Sequence, residues 1–278
     1  MKKQELILIW RKFWLQFDII EKILIKKTGL NKSQFFLAEE LNIWNLEELK
    51  NIFKKVAFGY PIEYILENAE FYGLDFYVDK RCLIPRNDTE VMVDEAIKVL
   101  SENSIYIDIW TWSWAIPISV YKNSKNKIKK IYAVDISTDA LEVAKKNIKT
   151  HNLENKIKLL KSNLLSDLFP LLAKEGARGW VITANLPYIK NEDFWNMDRE
   201  VILHEPAVAL YWWKKTWFEL YEKLIEQIIE SNNKKVILFI EIWFDQKEVA
   251  INYLENKKLS FEIFKDNWAI ERCVKIKF

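Results

Sequence analysis

Residues 105–121 constrain this chain more than any other stretch. Ile105-Tyr-Ile-Asp-Ile109 has the length, apolarity and β-branching of a buried strand. From Ala115 the chain reads as the first turns of a helix. Between the two stand Trp110, Thr111, Trp112, Ser113 and Trp114, with tryptophan at every second position. A strand-to-helix turn this tight normally carries glycine, because the backbone must take positive φ and approach a ligand closely. Tryptophan suits neither demand. The stretch calls for one local fold and carries the residue least able to make it.

Composition extends the conflict beyond the loop. The 278 residues include 13 Trp and only 5 Gly, whereas average usage is about 7% Gly. Further tryptophans fall at turn positions, in Tyr211-Trp-Trp213, Thr216-Trp217, Ile242-Trp243 and Asp266-Asn-Trp268. Asp-Asn-Gly is a turn signal; Asp-Asn-Trp is not. UGA is read as tryptophan in some genetic codes and as glycine in others, so one misread codon accounts for the whole set. The abundance of Lys, Ile and Asn over Arg agrees with AT-rich coding. The rival reading is a truly tryptophan-rich protein that has lost its ligand site. With glycine at 110, 112 and 114 the stretch becomes Asp-Ile-Gly-Thr-Gly-Ser-Gly-Ala-Ile, which resembles the cofactor loop of S-adenosylmethionine (SAM) methyltransferases.

Several function classes are excluded at this level. No run approaches the ~20 apolar residues of a membrane span, and charged residues at Glu5, Arg11 and Lys12 interrupt any signal-peptide core. Cys82 and Cys273 lack metal-ligand spacing and read as reduced thiols of a cytoplasmic protein. Two histidines leave little for a His-centred metal site or a Ser-His triad, so no metal is expected. A net charge of +2 implies neither stable nucleic-acid binding nor membrane attachment.

Residues 1–66 read as a helical domain, with apolar residues at helical spacing through 6–25, 33–41 and 46–58 and breaks at 28–31 and 42–45. Its Lys- and Glu-rich face reads as solvated. Alternation around Gly73 predicts a β-hairpin linker over 67–82. From 83 to 278 strands and helices alternate, the pattern of a parallel sheet with crossover helices. Strands are expected near 105–110, 130–135, 157–162, 180–185, 235–242, 260–265 and 270–277. Helices are expected near 88–101, 114–122, 137–150, 166–174, 215–231 and 245–256. The last two strands leave no room for a crossover and so form an antiparallel hairpin. This is the α/β, Rossmann-like class I methyltransferase architecture, seven-stranded and mostly parallel.

Further positions carry chemistry beyond the loop. Asp135 ends the second strand about 25 residues past the loop, near the ~20-residue spacing of an acid that binds ribose hydroxyls. Its alternative role, capping the next helix, suits Ser137 better. Asn163 follows the third strand, placed to meet an adenine edge with Leu164 on the ring; a plain turn is the alternative. Asn185-Leu-Pro-Tyr188 follows the strand ending at Ala184, where ligands bind in open α/β sheets. An amide or exocyclic amine is a poor nucleophile because its lone pair is delocalised. The Asn185 side-chain carbonyl and the Leu186 backbone carbonyl can accept its two N–H bonds, orienting the nitrogen as charge develops. Pro187 stiffens the turn, and Tyr188 offers a ring for a planar group. No general base is required before attack, since the proton can leave after methyl transfer.

Taken together, these motifs resemble the release-factor glutamine methyltransferase family. The resemblance includes Phe71-Tyr-Gly-Leu-Asp-Phe76, Leu83-Ile-Pro-Arg-Asn-Asp-Thr-Glu90, 108–115, Ala133-Val-Asp-Ile-Ser137, 185–188, 205–213, Glu241-Ile-Trp-Phe-Asp-Gln246 and 267–272. It implies SAM as methyl donor and the Gly-Gly-Gln glutamine of class I peptide release factors as acceptor. It also implies a SAM loop at 110–114, a ribose acid at Asp135, a substrate motif at 185–188 and an N-terminal domain that docks the protein substrate. A monomer is expected. Two features depart from the family: Leu186 replaces the first proline of Asn-Pro-Pro-Tyr, and tryptophan stands at family glycines. Asn-Leu-Pro-Tyr is also typical of ribosomal-RNA adenine dimethyltransferases. Other readings are therefore a ribosomal-protein glutamine, a nucleic-acid adenine, or a catalytically dead scaffold if the tryptophans are literal. Trp10, Trp14, Trp44, Trp180 and Trp195 carry no signal for either residue.

Overall fold

The computed structural model describes the chain apart from residues 12, 111, 126–127, 175–178, 188–202, 207–217 and 244. Thr111 and Tyr188, both expected in the site, thus lie outside the described residues, as do Trp195, Trp212, Trp213 and Trp217.

The N-terminal segment forms α1 (Lys3–Arg11), α2 (Phe17–Thr28), α3 (Lys32–Leu37), α4 (Leu46–Ala57) and α5 (Ile62–Leu66). Its ends are set locally. Gly29, at φ 69°, closes α2 with its N–H on the Ile25 carbonyl. Asn31 starts α3 with a reciprocal capping box to Gln34. Leu6, Trp10, Ile20, Ile23, Phe35 and Phe53 pack into one core. The helical period through 6–25 is not one helix. It breaks at Trp14, which sits at φ 60° and is 94% exposed. Apolar periodicity does not register such a break, because both halves face the same core.

Strands β1 (Ala69–Phe71) and β2 (Leu74–Phe76) make a tight hairpin. Its two turn residues, Tyr72 and Gly73, both take positive φ, 52° and 69°, as a two-residue hairpin turn of this hand requires. A 3-10 turn over Asn87–Thr89 leads into α6 (Glu90–Val99).

Beyond it come β3 (Ser104–Ile109), α7 (Ala115–Asn123), β4 (Ile128–Asp135), α8 (Thr138–Thr150), β5 (Ile157–Lys161), α9 (Phe169–Lys174) and β6 (Trp180–Ala184). They are followed by α10 (Glu219–Glu230), β7 (Val236–Glu241), α11 (Lys247–Asn256), β8 (Ser260–Lys265) and β9 (Glu271–Lys277). The seven-stranded sheet runs β5-β4-β3-β6-β7-β9-β8. β3 pairs in parallel with β4 and β6, whereas β9 is antiparallel to both β7 and β8. Helices cover both faces. Ile105, Ile107 and Ile109 of β3 share a core with Leu220, Leu224 and Ile228 of α10. Tyr106 faces the other way, into a core with Met92, Ile118 and Ala144 from α6, α7 and α8. Every residue of β3 is buried, which explains its unbroken apolar reading.

The order has one consequence for function. Crossovers from β3 proceed through β4 and β5 on one side and resume at β6 and β7 on the other. The crevice at the carboxyl ends of β3 and β6 is therefore the topological switch point, where open α/β sheets bind ligands.

Candidate active site at the switch point

The loop after β3 enters the crevice first. Trp110, Trp112 and Trp114 have φ of 62°, 48° and 71°. All three are in the left-handed region, where a bulky residue is an outlier. At roughly 1–2 kcal/mol per residue, three such residues cost on the order of 3–6 kcal/mol that glycine would not. Their rings have nowhere to go but inward. Exposure is 2%, 4% and 0% in sequence order. Ser113 between them is buried, and its carbonyl accepts from Asn147 Nδ2 at 2.8 Å.

Asp135 closes one side of the crevice from the end of β4, only 1% exposed. Its Oδ2 accepts from the Trp112 backbone N–H at 3.2 Å and its Oδ1 from the Ser137 N–H at 2.8 Å. The cap of α8 is Ser137, whose Oγ accepts from Ala140 N–H at 3.2 Å. Asp135 is thus held at the strand end and aimed at the loop. Beneath it, Tyr106, Thr183 and Asp108 form a buried hydrogen-bonded row, with Thr183 donating to Asp108. Burial holds the Asp108 carboxyl well above its usual range, the Thr183 bond opposes this, and the charge of Asp135 adds to it.

Asn185 closes the other side from the end of β6, 7% exposed. Leu186 and Pro187 beside it are buried. The Leu186 N–H donates to the Tyr221 hydroxyl at 3.1 Å, and that hydroxyl donates to the Glu241 carbonyl, so α10 and β7 fix the turn from behind. Leu164, at φ 56°, packs in the same core as Trp110, Trp112 and Leu186, while Asn163 is exposed. The structure thus brings together Trp110, Trp112, Asp135, Leu164 and Asn185–Pro187, whereas the Trp114 ring packs in the core on the other face of the sheet with Phe71 and Met92, and Asn163 is exposed.

One side chain spans the crevice. The Trp112 indole N–H donates to the Asn185 backbone carbonyl at 3.0 Å, while its own backbone N–H is bound to Asp135. The Trp110 ring lies 5.9 Å from the Trp112 ring, centroid to centroid. One indole, that of Trp112, therefore stands between the acid on β4 and the amide on β6, with the Trp110 ring beside it.

A family described as "Methyltransferase domain" matches residues 92–181. The release factor glutamine methyltransferase of Mycoplasma mycoides subsp. mycoides SC is 32% identical over 225 residues, covering 79% of this chain and 75% of that protein. The enzyme of the same name from Clostridium acetobutylicum is 33% identical over 222 residues, covering 77% and 74%. The chain belongs to the release factor glutamine methyltransferase family. Among solved structures, the hMettl16 catalytic domain, crystallised with the MAT2A 3′UTR hairpin 6, aligns with a TM-score of 0.58 at 15% identity, covering 95% of this chain and 93% of that one. A human methyltransferase 10 domain containing protein aligns at 0.53 and 15%, covering 74% and 89%. These two likenesses concern the fold alone.

Membership in this family makes the chain a SAM-dependent methyltransferase, and the crevice can be tested against that cofactor. The acid at 135 and the amide at 185 are of the right chemistry and open on the same space. The tryptophans do not fit. The Trp112 indole takes the volume between them and occupies the backbone carbonyl of Asn185.

Residues with no role in the sequence reading hold the rim. Glu205, almost fully buried, accepts from Ile84 N–H at 3.3 Å and pairs with Arg86. Burial raises the Glu205 carboxyl above its usual range, and Arg86 pulls it back. Arg272 Nη2 meets Asp88 at 3.2 Å and its Nε meets Asp266 at 3.2 Å. Thr89 touches Asn185, and Asn147 joins both backbone groups of Tyr77 to the loop at Ser113. The only advance signal is that most of these residues lie inside the motifs that carry the family resemblance.

Proposed function

We propose that this chain methylates the side-chain amide nitrogen of a glutamine in a peptide release factor, the Gly-Gly-Gln glutamine of the class I factors. The observation that carries this is Asn185 at the carboxyl end of β6, on the switch point, backed by Leu186 and Pro187. SAM supplies the methyl group. The chain's own residues then have three tasks. Asn185 Oδ1 and the Leu186 carbonyl accept the two N–H groups of the substrate amide, Pro187 keeps those acceptors convergent, and the buried walls exclude water. Asp135 accepts hydroxyls at the nucleoside end. Residues 1–66 serve as the docking unit for the protein substrate, 67–82 as a hairpin linker, and 83–278 as the catalytic domain of a monomeric cytoplasmic enzyme. Among the described residues no helix is long and apolar enough to cross a membrane, and no cluster suited to a metal ion occurs.

The functional enzyme carries glycine at 110, 112 and 114, on this reading. Support comes from three positive φ values at alternate residues and from an indole that links the two walls of the crevice. UGA decoding as glycine gives all three changes at once. The second reading, a catalytically dead scaffold with literal tryptophans, draws on the same filled crevice. The codons at 110, 112 and 114 separate them, since only the first reading requires UGA there; calorimetric titration tests the filled crevice on which both rest. SAM should not bind the all-tryptophan chain detectably and should bind the triple variant W110G/W112G/W114G. That glycine form, given labelled SAM and a release factor, should label it only while the Gly-Gly-Gln glutamine is present. Label that persists without that glutamine would overturn the substrate assignment, and tight SAM binding by the all-tryptophan chain would overturn the glycine assignment.

A further inference from the structure

A carboxamide serves a substrate N–H only through its oxygen. Its nitrogen end has nearly the same shape and the opposite polarity, so something must choose which end faces the crevice. A hydroxyl can accept from one end of an amide or donate to the other; in this structure it is the nitrogen end of Asn185 that meets one. Its Nδ2 donates to Thr89 Oγ1 at 3.4 Å, with Asn185 7% and Thr89 4% exposed. Nitrogen held on that side leaves Oδ1 turned away from Thr89.

A hydroxyl orients a partner only if it is itself fixed, and the turn carrying Thr89 is tied on every side. Its own N–H donates to the Arg86 carbonyl at 3.1 Å. Next to it, Asp88 is paired with Arg272, a guanidinium only 5% exposed that also holds Asp266 and the Ile242 carbonyl. On the other side, Glu90 accepts from the Tyr72 N–H at 2.8 Å, inside the β1–β2 turn. Upstream, Glu205 holds Arg86 and Ile84. Arg272 thus holds the turn directly, and Tyr72 and Glu205 hold the residues on either side of it, while the last side chain of the turn meets Asn185.

We infer that Thr89 is a positioning residue, whose hydroxyl holds the Asn185 amide by its nitrogen and so presents Oδ1 to the substrate nitrogen. This rests on the amide-methylation reading above. Its test uses the full chain in its glycine form. Thr89→Val keeps the shape and removes the hydroxyl; Thr89→Ser keeps the hydroxyl. With Thr89→Val, kcat should fall roughly tenfold to a hundredfold, the scale expected when a reacting group is slightly misplaced, while SAM affinity stays within about twofold. Thr89→Ser should recover most of the loss. A readout independent of turnover is solvent exchange of the Asn185 side-chain amide protons by NMR. It should be slow in the parent and in Thr89→Ser and fast in Thr89→Val. Unchanged kcat in Thr89→Val, an equal loss of SAM affinity, or unchanged amide exchange would each overturn the inference. A parent that leaves release factors unlabelled would sink the substrate reading instead, and the exchange measurement would still decide the role of Thr89.

Discussion

Trp10 and Trp112 are both buried indoles, and they could hardly be in more different circumstances. Trp10 lies within α1, 0% exposed, its ring stacked on Phe53 at 4.3 Å and 6° between planes. Its backbone is ordinary helix, and the N-terminal core is built around it. Trp112 is 4% exposed and equally enclosed, but its backbone sits at φ 48° and its ring occupies the crevice between Asp135 and Asn185. Burial therefore says nothing about whether a tryptophan belongs at its position. Backbone conformation does. Trp10 fills space that the fold leaves for it, whereas Trp112 fills the crevice at the switch point, which on the proposed reading is the cofactor's.

The comparison can be broken by stability. Trp10→Gly should cost at least about 3–5 kcal/mol, the usual toll of removing a buried aromatic, plus up to about 1 kcal/mol for glycine inside a helix. Trp112→Gly removes as large a side chain but also releases left-handed strain and incurs no helix penalty, so its net cost should be smaller by about 1–3 kcal/mol. Urea denaturation of the two single variants measures this directly. If Trp112→Gly is as damaging as Trp10→Gly, the indole at 112 is a native core residue and the glycine assignment fails.

The walls of the crevice sharpen it next. In the glycine form, Asp135→Ala should weaken SAM binding, because it removes a ground-state contact. Asn185→Ala should leave SAM affinity nearly unchanged and lower kcat by roughly a hundredfold to a thousandfold, as loss of a preorganised polar group does. Calorimetry and single-turnover kinetics on both variants decide the matter. If the two behave alike, the division between a cofactor wall and a substrate wall is wrong.

How much of this was legible follows the range of the interactions. β3 could be read because burial on both faces leaves an unbroken apolar run, and Asp135 and Asn185 because each ends a strand at a recognisable offset. The antiparallel ending was legible from the short gap before β9. The break in the first helical run was not, since the apolar period continues across Trp14. Nor was the exposure of Asn163, whose neighbour Leu164 turns inward through a positive φ that leucine does not advertise. The rim is the extreme case. Arg86 and Glu205 are 119 residues apart, and Asn147 reaches Tyr77 across 70. No local pattern records such pairs; only the folded sheet brings them together.

The smallest effect lies in the turn between β8 and β9, where the sequence reading expects a glycine at Trp268. The structure puts the strain one residue further on. Trp268 is 75% exposed and has no positive φ; the left-handed residue is its neighbour, Ala269, at 62°. Asp266 organises the turn, its Oδ1 accepting from Trp268 N–H at 2.9 Å and Ile270 N–H at 3.0 Å, and its backbone N–H donating to the Ile270 carbonyl at 2.8 Å. With those ends pinned, the turn must place one residue at positive φ, and alanine bears a Cβ penalty there that glycine lacks. Ala269→Gly should therefore stabilise the protein by about 1 kcal/mol, less what glycine loses by loosening the unfolded chain. Trp268→Gly should do nothing of the kind, because its backbone is already relaxed and its ring is in solvent. Thermal melting of the two variants is enough to rank them. A gain at 268 without one at 269 would mean that glycine at 268 shifts the left-handed residue one place back, and the contrast between strained and relaxed tryptophans would then have to be redrawn.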